Sequence, residues 1–338
     1  MRAFVLSRYG GPEHTALAEM PTPSPKPGEL LVGVHAAGLN PVDFKTRAGA
    51  LKIIRDYPLP IVMGNELAGM VEAVGTGVTR FAVGDRIYAR VDKNHIGALA
   101  EFAVVHEDHA AAMPTALDFT TAAAVPLAAL TALQALRDEL QLRAGQRIFI
   151  PGGAGGVGTF AIQLAKHMGA HVATTASSRG EALVKRLGAD VVIDYTRERF
   201  EDHLSGYDCA FDLLGGDTLS RLFRVLKPGA RVVSVAGLPE PQTARKDLGR
   251  GTALAALFWV ASLKTRLIAR RHGATYRYLF MHPSGSDLAH LASLIDGGQL
   301  EVIVDRVFPF AETKQALAYL ETGRAKGKVV VELTRNRS

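Results

Sequence analysis

The hydrophobic pattern of the chain changes near position 120. Before it, short apolar runs such as "AFVLSRY", "ELLVGVHAAG", "LAGMVEAVG", "DRIYAR" and "EFAVVH" are broken by Gly and Pro, with no long helical period between them. Runs of this kind predict the strands of an irregular, mostly antiparallel domain. From "TTAAAVPLAALTALQALRDEL" onward, helical periodicity alternates with strand-like runs. "QRIFI", "HVATTA", "DVVID", "YDCAFDLL" and "ARVVSVAG" read as strands, and "GTFAIQLAKHMG", "EALVKRLG", "RERFEDHL" and "DTLSRLFRVL" as the helices between them. That alternation predicts an α/β domain, a parallel sheet with helices on both faces. A helix is expected over 251–271, and a strand at "YRYLFMH".

Five glycines crowd the turn "PGGAGGVG", directly after "FI" and directly before an apolar helix. This is the setting of a dinucleotide fingerprint. Gly153, Gly155 (or Gly156) and Gly158 lack side chains where a pyrophosphate must approach, and Ala154 and Val157 complete the turn. The N–H groups and dipole at the helix start favour phosphate charge. An acidic residue about 20 residues past the turn would hold a free ribose 2′-hydroxyl. Here that place carries Ser177, Ser178 and Arg179, and the nearest acid, Glu181, lies inside the next helix. Hydroxyls and a guanidinium suit a 2′-phosphate, so the expected cofactor is NADPH.

Length and composition narrow the classes. The 338 residues fit two domains. Net charge is +6, with part of the excess between Arg245 and Arg271. No nucleic-acid motif and no interleaved aromatics accompany it, so the segment reads as a solvated basic surface and no nucleic acid is expected. A single cysteine, Cys209, rules out an internal disulfide and a Cys-rich zinc site; it sits in a strand-like run as a small buried residue. "MRAFVLSRYGGPEH" carries no signal-peptide core, and the longest apolar run, "TALAALFWVASL", is shorter than the roughly 20 residues that span a bilayer. A cytoplasmic protein without a transmembrane segment is expected.

"GLNPVDFKTRAG", "GNELAGMVEAVGTGVTRFAVGDRIYA", "AAVPLAALTALQAL", "GGAGGVG" and "ETGRAKGKVVVEL" together resemble the medium-chain dehydrogenase/reductase superfamily, and within it the zinc-independent quinone oxidoreductases and enone reductases. The resemblance runs over essentially the whole chain. It implies a Rossmann dinucleotide-binding domain over 122–282 and a β-rich GroES-like catalytic domain formed by 1–121 and 283–338. The long 240–281 segment resembles the mitochondrial and plastid branch of that group. Zinc alcohol dehydrogenases of the superfamily use an early Cys and a His in a Gly-His-Glu motif. Here the first place lies within "NPVD" and the second is Asn65 of "GNE", so two of the ligands for tetrahedral zinc are missing and no metal is expected. His106 and His109 of "HEDH" lack a third ligand nearby and read as loop packing.

The resemblance also implies a site. Asn40 and Thr131 would lie beside the nicotinamide, Tyr195 near the adenosine ribose phosphate, and Gly237 beside the nicotinamide ribose. Arg324 or Lys328 would reach a cofactor phosphate. A Tyr that often follows the "NPxD" element in shorter quinone reductases is replaced by Phe44 and Lys45. Lys45 is either a charged donor to the substrate oxygen or simply solvated, and Asp43 either orients it or caps a turn. Without zinc, this equipment suits hydride delivery to the β-carbon of a conjugated carbonyl or to a quinone, with Asn40 and Lys45 as candidate catalytic groups. The rival expectation is a catalytically weak NADPH-binding sensor, or a membrane- or RNA-associated protein that keeps the fold. A homodimer is expected from exposed sheet edges.

Overall fold

The computed structural model describes residues 1–333 and separates them into two compact units, 1–130 with 283 onward, and 131–282. The boundary falls inside the helical stretch after residue 120, not ahead of it. The helix Phe119–Ala122 packs on the strands Glu29–Leu39 and Glu66–Val74, which draws the start of that stretch into the first unit.

The first unit is built on a seven-stranded sheet. Its main path runs Val304–Pro309, Lys328–Glu332, Glu29–Leu39, Glu66–Val74, Arg86–Arg90, Ala110–Ala112, and Phe102–His106 pairs with Glu29–Leu39 off this path. All pairs are antiparallel except Val304–Pro309 with Lys328–Glu332, which are parallel and joined through the helix Thr313–Glu321. Leu30, Val32, Leu67, Ile87, Val329 and Val331 form the core. One element was not anticipated: the helix Pro41–Arg47. Its seven residues are too few to show a period, yet its start is readable. Asn40 and Asp43 form a capping box, and Pro41 takes a position where its missing N–H costs nothing.

The second unit carries a six-stranded parallel sheet. In chain order its strands are Arg147–Ile150, His171–Ala176, Val191–Asp194, Tyr207–Asp212, Leu226–Ser234 and Thr275–Tyr278, and their spatial order is third, second, first, fourth, fifth, sixth. That is the doubly wound dinucleotide-binding topology. Phe149, Tyr207, Leu222, Phe223 and Val232 fill its core. "RERFEDHL" yields only a single turn, Phe200–Asp202, in place of the expected helix. The 251–271 stretch is two helices, Thr252–Ala261 and Leu263–Arg271, bent by 61° at Ser262. Among the described residues one helical run, Phe119–Glu139, is long and apolar enough to cross a membrane, and its apolar window is 78% buried inside the fold.

Candidate functional site

Three chain segments of the first unit deliver polar side chains to one dry place. Asn40 follows the strand Glu29–Leu39, Asp43 lies one turn into the helix, Asn65 and Glu66 open the strand Glu66–Val74, and Lys328 opens Lys328–Glu332. Val329 pairs with Leu39, so the antiparallel register sets Lys328 beside Asn40. All five are buried: Asn40 and Lys328 are 3% exposed, Asn65 2%, Asp43 and Glu66 0%.

The Lys328 ammonium, the Asn65 amide and one hydrogen of the Asn40 amide have close acceptors. Lys328 Nζ donates to Asn40 Oδ1 (2.5 Å), Glu66 Oε1 (2.7 Å) and Leu39 O (2.9 Å). Asn40 Nδ2 donates to Glu66 Oε1 at 2.6 Å and makes only a weak 3.5 Å contact with Gly38 O. Glu66 Oε2 accepts from Leu127 N–H (2.6 Å) at the start of the helix Pro126–Gln134. Asp43 accepts from Asn40 N–H (2.8 Å) and Asn65 Nδ2 (2.7 Å). Burial pushes the Asp43 carboxyl up to about 6, against those two donors and Lys328, which favour the anion. Arg90, also buried, donates to Asn65 O (3.2 Å) and to Val91 O. Gly38 is required here, since a Cβ would strike the Glu66 carboxylate and the Ala123 carbonyl.

This geometry revises two expectations. Lys328 does not reach out to a cofactor phosphate, because its three N–H groups are spent inside the cluster. Asp43 does not orient Lys45, which is exposed on the helix and outside the cluster. Glu66 as the hub and Arg90 as a second buried cation were not picked out. The signal was a charged residue at the edge of an apolar strand run, as in "GNELAGM" and "GKVVVEL". The side-chain oxygens Asn40 Oδ1 and Glu66 Oε1 both accept from the Lys328 ammonium. Among the described residues no group of three or more His, Cys, Asp or Glu is arranged to hold a metal. Cys209 is buried in the second unit with its thiol pushed up to about 12 by burial. His106 Nδ1 accepts from Asp108 N–H at 3.2 Å, and the rings of His106, at the end of the strand Phe102–His106, and His109, in the turn after it, lie 5.5 Å apart at a 49° tilt.

In the second unit the glycine turn joins Arg147–Ile150 to the helix Gly156–His167. Two of its glycines serve the fold. A Cβ on Gly153 would meet Thr174 and Ile162, and one on Gly158 would meet the backbone of Gly152 and Gly153. Gly155 differs: a Cβ there would meet nothing nearer than 3.5 Å, so packing alone does not demand glycine. Gly155 is the helix cap and offers the first turn no side-chain acceptor, a setting that suits an anion. Gly152 and Gly153 hang from Thr175 through its hydroxyl and carbonyl. These features fit a dinucleotide pyrophosphate.

At the carboxyl end of the second strand, Tyr195 N–H donates to Ala176 O (3.3 Å), which brings Tyr195 next to Ser177, Ser178 and Arg179. Tyr195 is 60% exposed, and Ser178 and Arg179 are exposed at the helix start. The register also sets Asp194 opposite Ala176, but its carboxylate is tied to the N–H and hydroxyl of Thr196. Gly237 has a packing reason of its own: a Cβ would strike the Tyr276 hydroxyl. Asp212, fully buried, accepts from Ser234 Oγ (2.6 Å) and from the N–H groups of Leu214 and Gly215, shaping the strand ends in a way sequence reading missed. Thr131 is buried in the helix Pro126–Gln134, and Arg324 is exposed.

Comparison with known proteins agrees in both units. The family model described as "Alcohol dehydrogenase GroES-like domain" matches residues 26–115, and that described as "Zinc-binding dehydrogenase" matches 187–331. A Danio rerio protein named NAD(P)H oxidoreductase RTN4IP1, mitochondrial, is 36% identical, over 98% of this chain and 91% of its own length. The Arabidopsis thaliana protein named NADPH-dependent alkenal/one oxidoreductase, chloroplastic, is 37% identical, over 98% of this chain and 79% of its own. The solved structure of a quinone oxidoreductase from Coxiella burnetii superposes with a TM-score of 0.87 at 31% identity, covering 99% of each chain.

Proposed function

This chain belongs to the medium-chain dehydrogenase/reductase family, and on that premise we propose that it is an NADPH-dependent reductase of quinones or α,β-unsaturated carbonyl compounds that works without zinc. The observation that carries the reading is the Lys328 ammonium, seated among Glu66, Asn40 and Leu39 O. A divalent ion would have to displace it and would find amides at Asn40 and Asn65 in place of soft ligands. The relatives named above are oxidoreductases, which leaves the rival idea of a catalytically weak sensor unsupported.

NADPH, when bound, supplies the hydride. The residues of the chain do the rest. Gly155 and the N–H groups of the helix start receive the pyrophosphate. Ser177, Ser178 and Arg179 take the 2′-phosphate, with Tyr195 beside them. Lys328 and Glu66 hold the two ends of the Asn40 amide. One amide hydrogen is spent on Glu66; the other, with only its 3.5 Å contact, is the donor for a substrate oxygen. An ammonium at Oδ1 polarises that N–H and strengthens its bond to developing negative charge. Hydride arriving at a β-carbon puts that charge on the carbonyl oxygen, and water returns a proton to the α-carbon. A plain ketone would lean on a Lewis acid that this cluster has no room to hold. We further propose a homodimer through the strand Thr275–Tyr278, which ends the six-stranded sheet.

Isotope placement tests the chemistry. With NADPH deuterated at the transferred position, deuterium is expected at the β-carbon of the enone product and solvent hydrogen at the α-carbon, with a rate unchanged by chelators. Deuterium at the carbonyl carbon, or activity that follows added zinc, defeats the proposal.

A further inference from the structure

The helix Thr252–Ala261, "TALAALFWVA", has no charged residue, yet it is not enclosed. Ala255 and Phe258 face inward, while Leu257 is 46%, Trp259 48% and Val260 65% exposed. A helix apolar all round belongs in a core or against something apolar. The chain turns at Ser262, buried, whose hydroxyl donates to Phe258 O (2.7 Å). The second helix, Leu263–Arg271, then carries Lys264, Leu267, Arg270 and Arg271 at three- and four-residue spacing, all exposed, with Leu267 47% exposed among the cations. Arg266 Nη2 donates to Trp259 O (3.1 Å) and its guanidinium stacks 5.1 Å from the indole centre, joining the two halves.

Charge identifies the occupant. No Asp or Glu occurs between Asp247 and Asp287, while Arg250, Lys264, Arg266, Arg270 and Arg271 fall inside that interval, beside Arg277, which is buried and ion-paired. Arg271 and His272 also line a cleft with Asp217, Arg224 and the arginines Arg199 and Arg221, the latter two paired with Glu201. We propose that this bent helix pair is an interfacial element that docks the enzyme on an anionic lipid bilayer. Leu257, Val260 and Leu267 enter the headgroup boundary, Trp259 sits at the interface, and the basic residues face lipid phosphates. A second copy of the chain is the poorer partner. A two-fold interface sets the same patch against itself, which would bring Lys264, Arg270 and Arg271 of both copies into one interface with no acid from this interval between them. The docking does not depend on the reaction assigned above, so the two succeed or fail separately.

Trp259 is the only tryptophan of the chain, which makes its fluorescence a reporter of this face. The full-length protein is expected to sediment with phosphatidylcholine vesicles containing phosphatidylglycerol. Its emission should move to the blue and be quenched by brominated acyl chains, and salt should weaken both effects. Lys264→Ala and Arg270→Ala should each lower the partition coefficient about fivefold. The pair Leu257→Glu with Val260→Glu, at exposed positions, should abolish binding while NADPH oxidation with a water-soluble enone stays unchanged. Absence of vesicle binding, or binding untouched by the two glutamates, overturns the proposal. So does a blue shift that tracks protein concentration without lipid, which would assign the face to a second copy.

Discussion

At the scale of single residues, the cluster around Asn40 shows what burial does to charge. Asp43 sits above its ordinary value of 3.8, at about 6, because no water reaches it. The folded chain therefore keeps this proton at pH values where the unfolded chain has released it. Its contribution to stability is complete below the ordinary value and is lost as pH rises through about 6. Asp43→Asn removes the titration and keeps both hydrogen bonds by turning the amides. Urea midpoints should show the variant gaining on the parent between those pH values, by about 3 kcal/mol at most. A gap that stays constant with pH refutes the assignment. Arg179 makes a second test. Arg179→Ala should weaken NADPH by about 1.5–3 kcal/mol, the scale of a hydrogen bond to a charged group, and leave NADH alone. Equal losses for both cofactors would mean that Arg179 does not read the 2′-phosphate. Asn40 was named through the resemblance and Asp43 as one that orients Lys45 or caps a turn; the local capping box that joins them was not read. The place of Lys328 was not legible, because its partner Glu66 lies 262 residues away and only the sheet register joins them.

Among the elements, the segment between the fifth and sixth strands of the nucleotide-binding sheet is held by one buried guanidinium. Arg277, on the sixth strand, meets Glu139 (3.1 Å), Glu240 (3.0 Å) and Asp247 (2.5 Å), all buried side chains. It thereby ties the turn Thr243–Asp247 to the end of the run Ala135–Glu139. Arg277→Met would leave Glu240 and Asp247 without their cation, while Glu139 keeps Lys246 at 2.6 Å. The expected cost is about 3–5 kcal/mol in chemical denaturation, and Arg277→Lys should restore only part, since one ammonium cannot fork to three carboxylates. A loss below about 1 kcal/mol would show that the network is dispensable. Strands and long helices of this unit were legible from their period. The bend at Ser262 was not, because "WVASLKTR" continues a helical pattern and the turn depends on a serine hydroxyl and an arginine reaching back to carbonyls.

For the whole molecule, the oligomeric state offers the plainest test. Light scattering should give the mass of two chains, and a monomer across a wide concentration range would leave the edge strand Thr275–Tyr278 covered from within, where the helix Leu263–Arg271 already packs. By itself the sequence determined the two kinds of sheet, the parallel order of the second unit and the glycine turn. Each of these is written in local patterns: alternation, periodicity and glycines at fixed offsets. Only the tertiary structure decided where the charges go. It buried Lys328 behind Asn40, made Glu66 the common acceptor, exposed Lys45, and left the apolar helix Thr252–Ala261 open. Hydrophobic periods report which face of an element is dry. Which distant strand brings the counter-charge to a buried ion is set by register between segments that share no local signal.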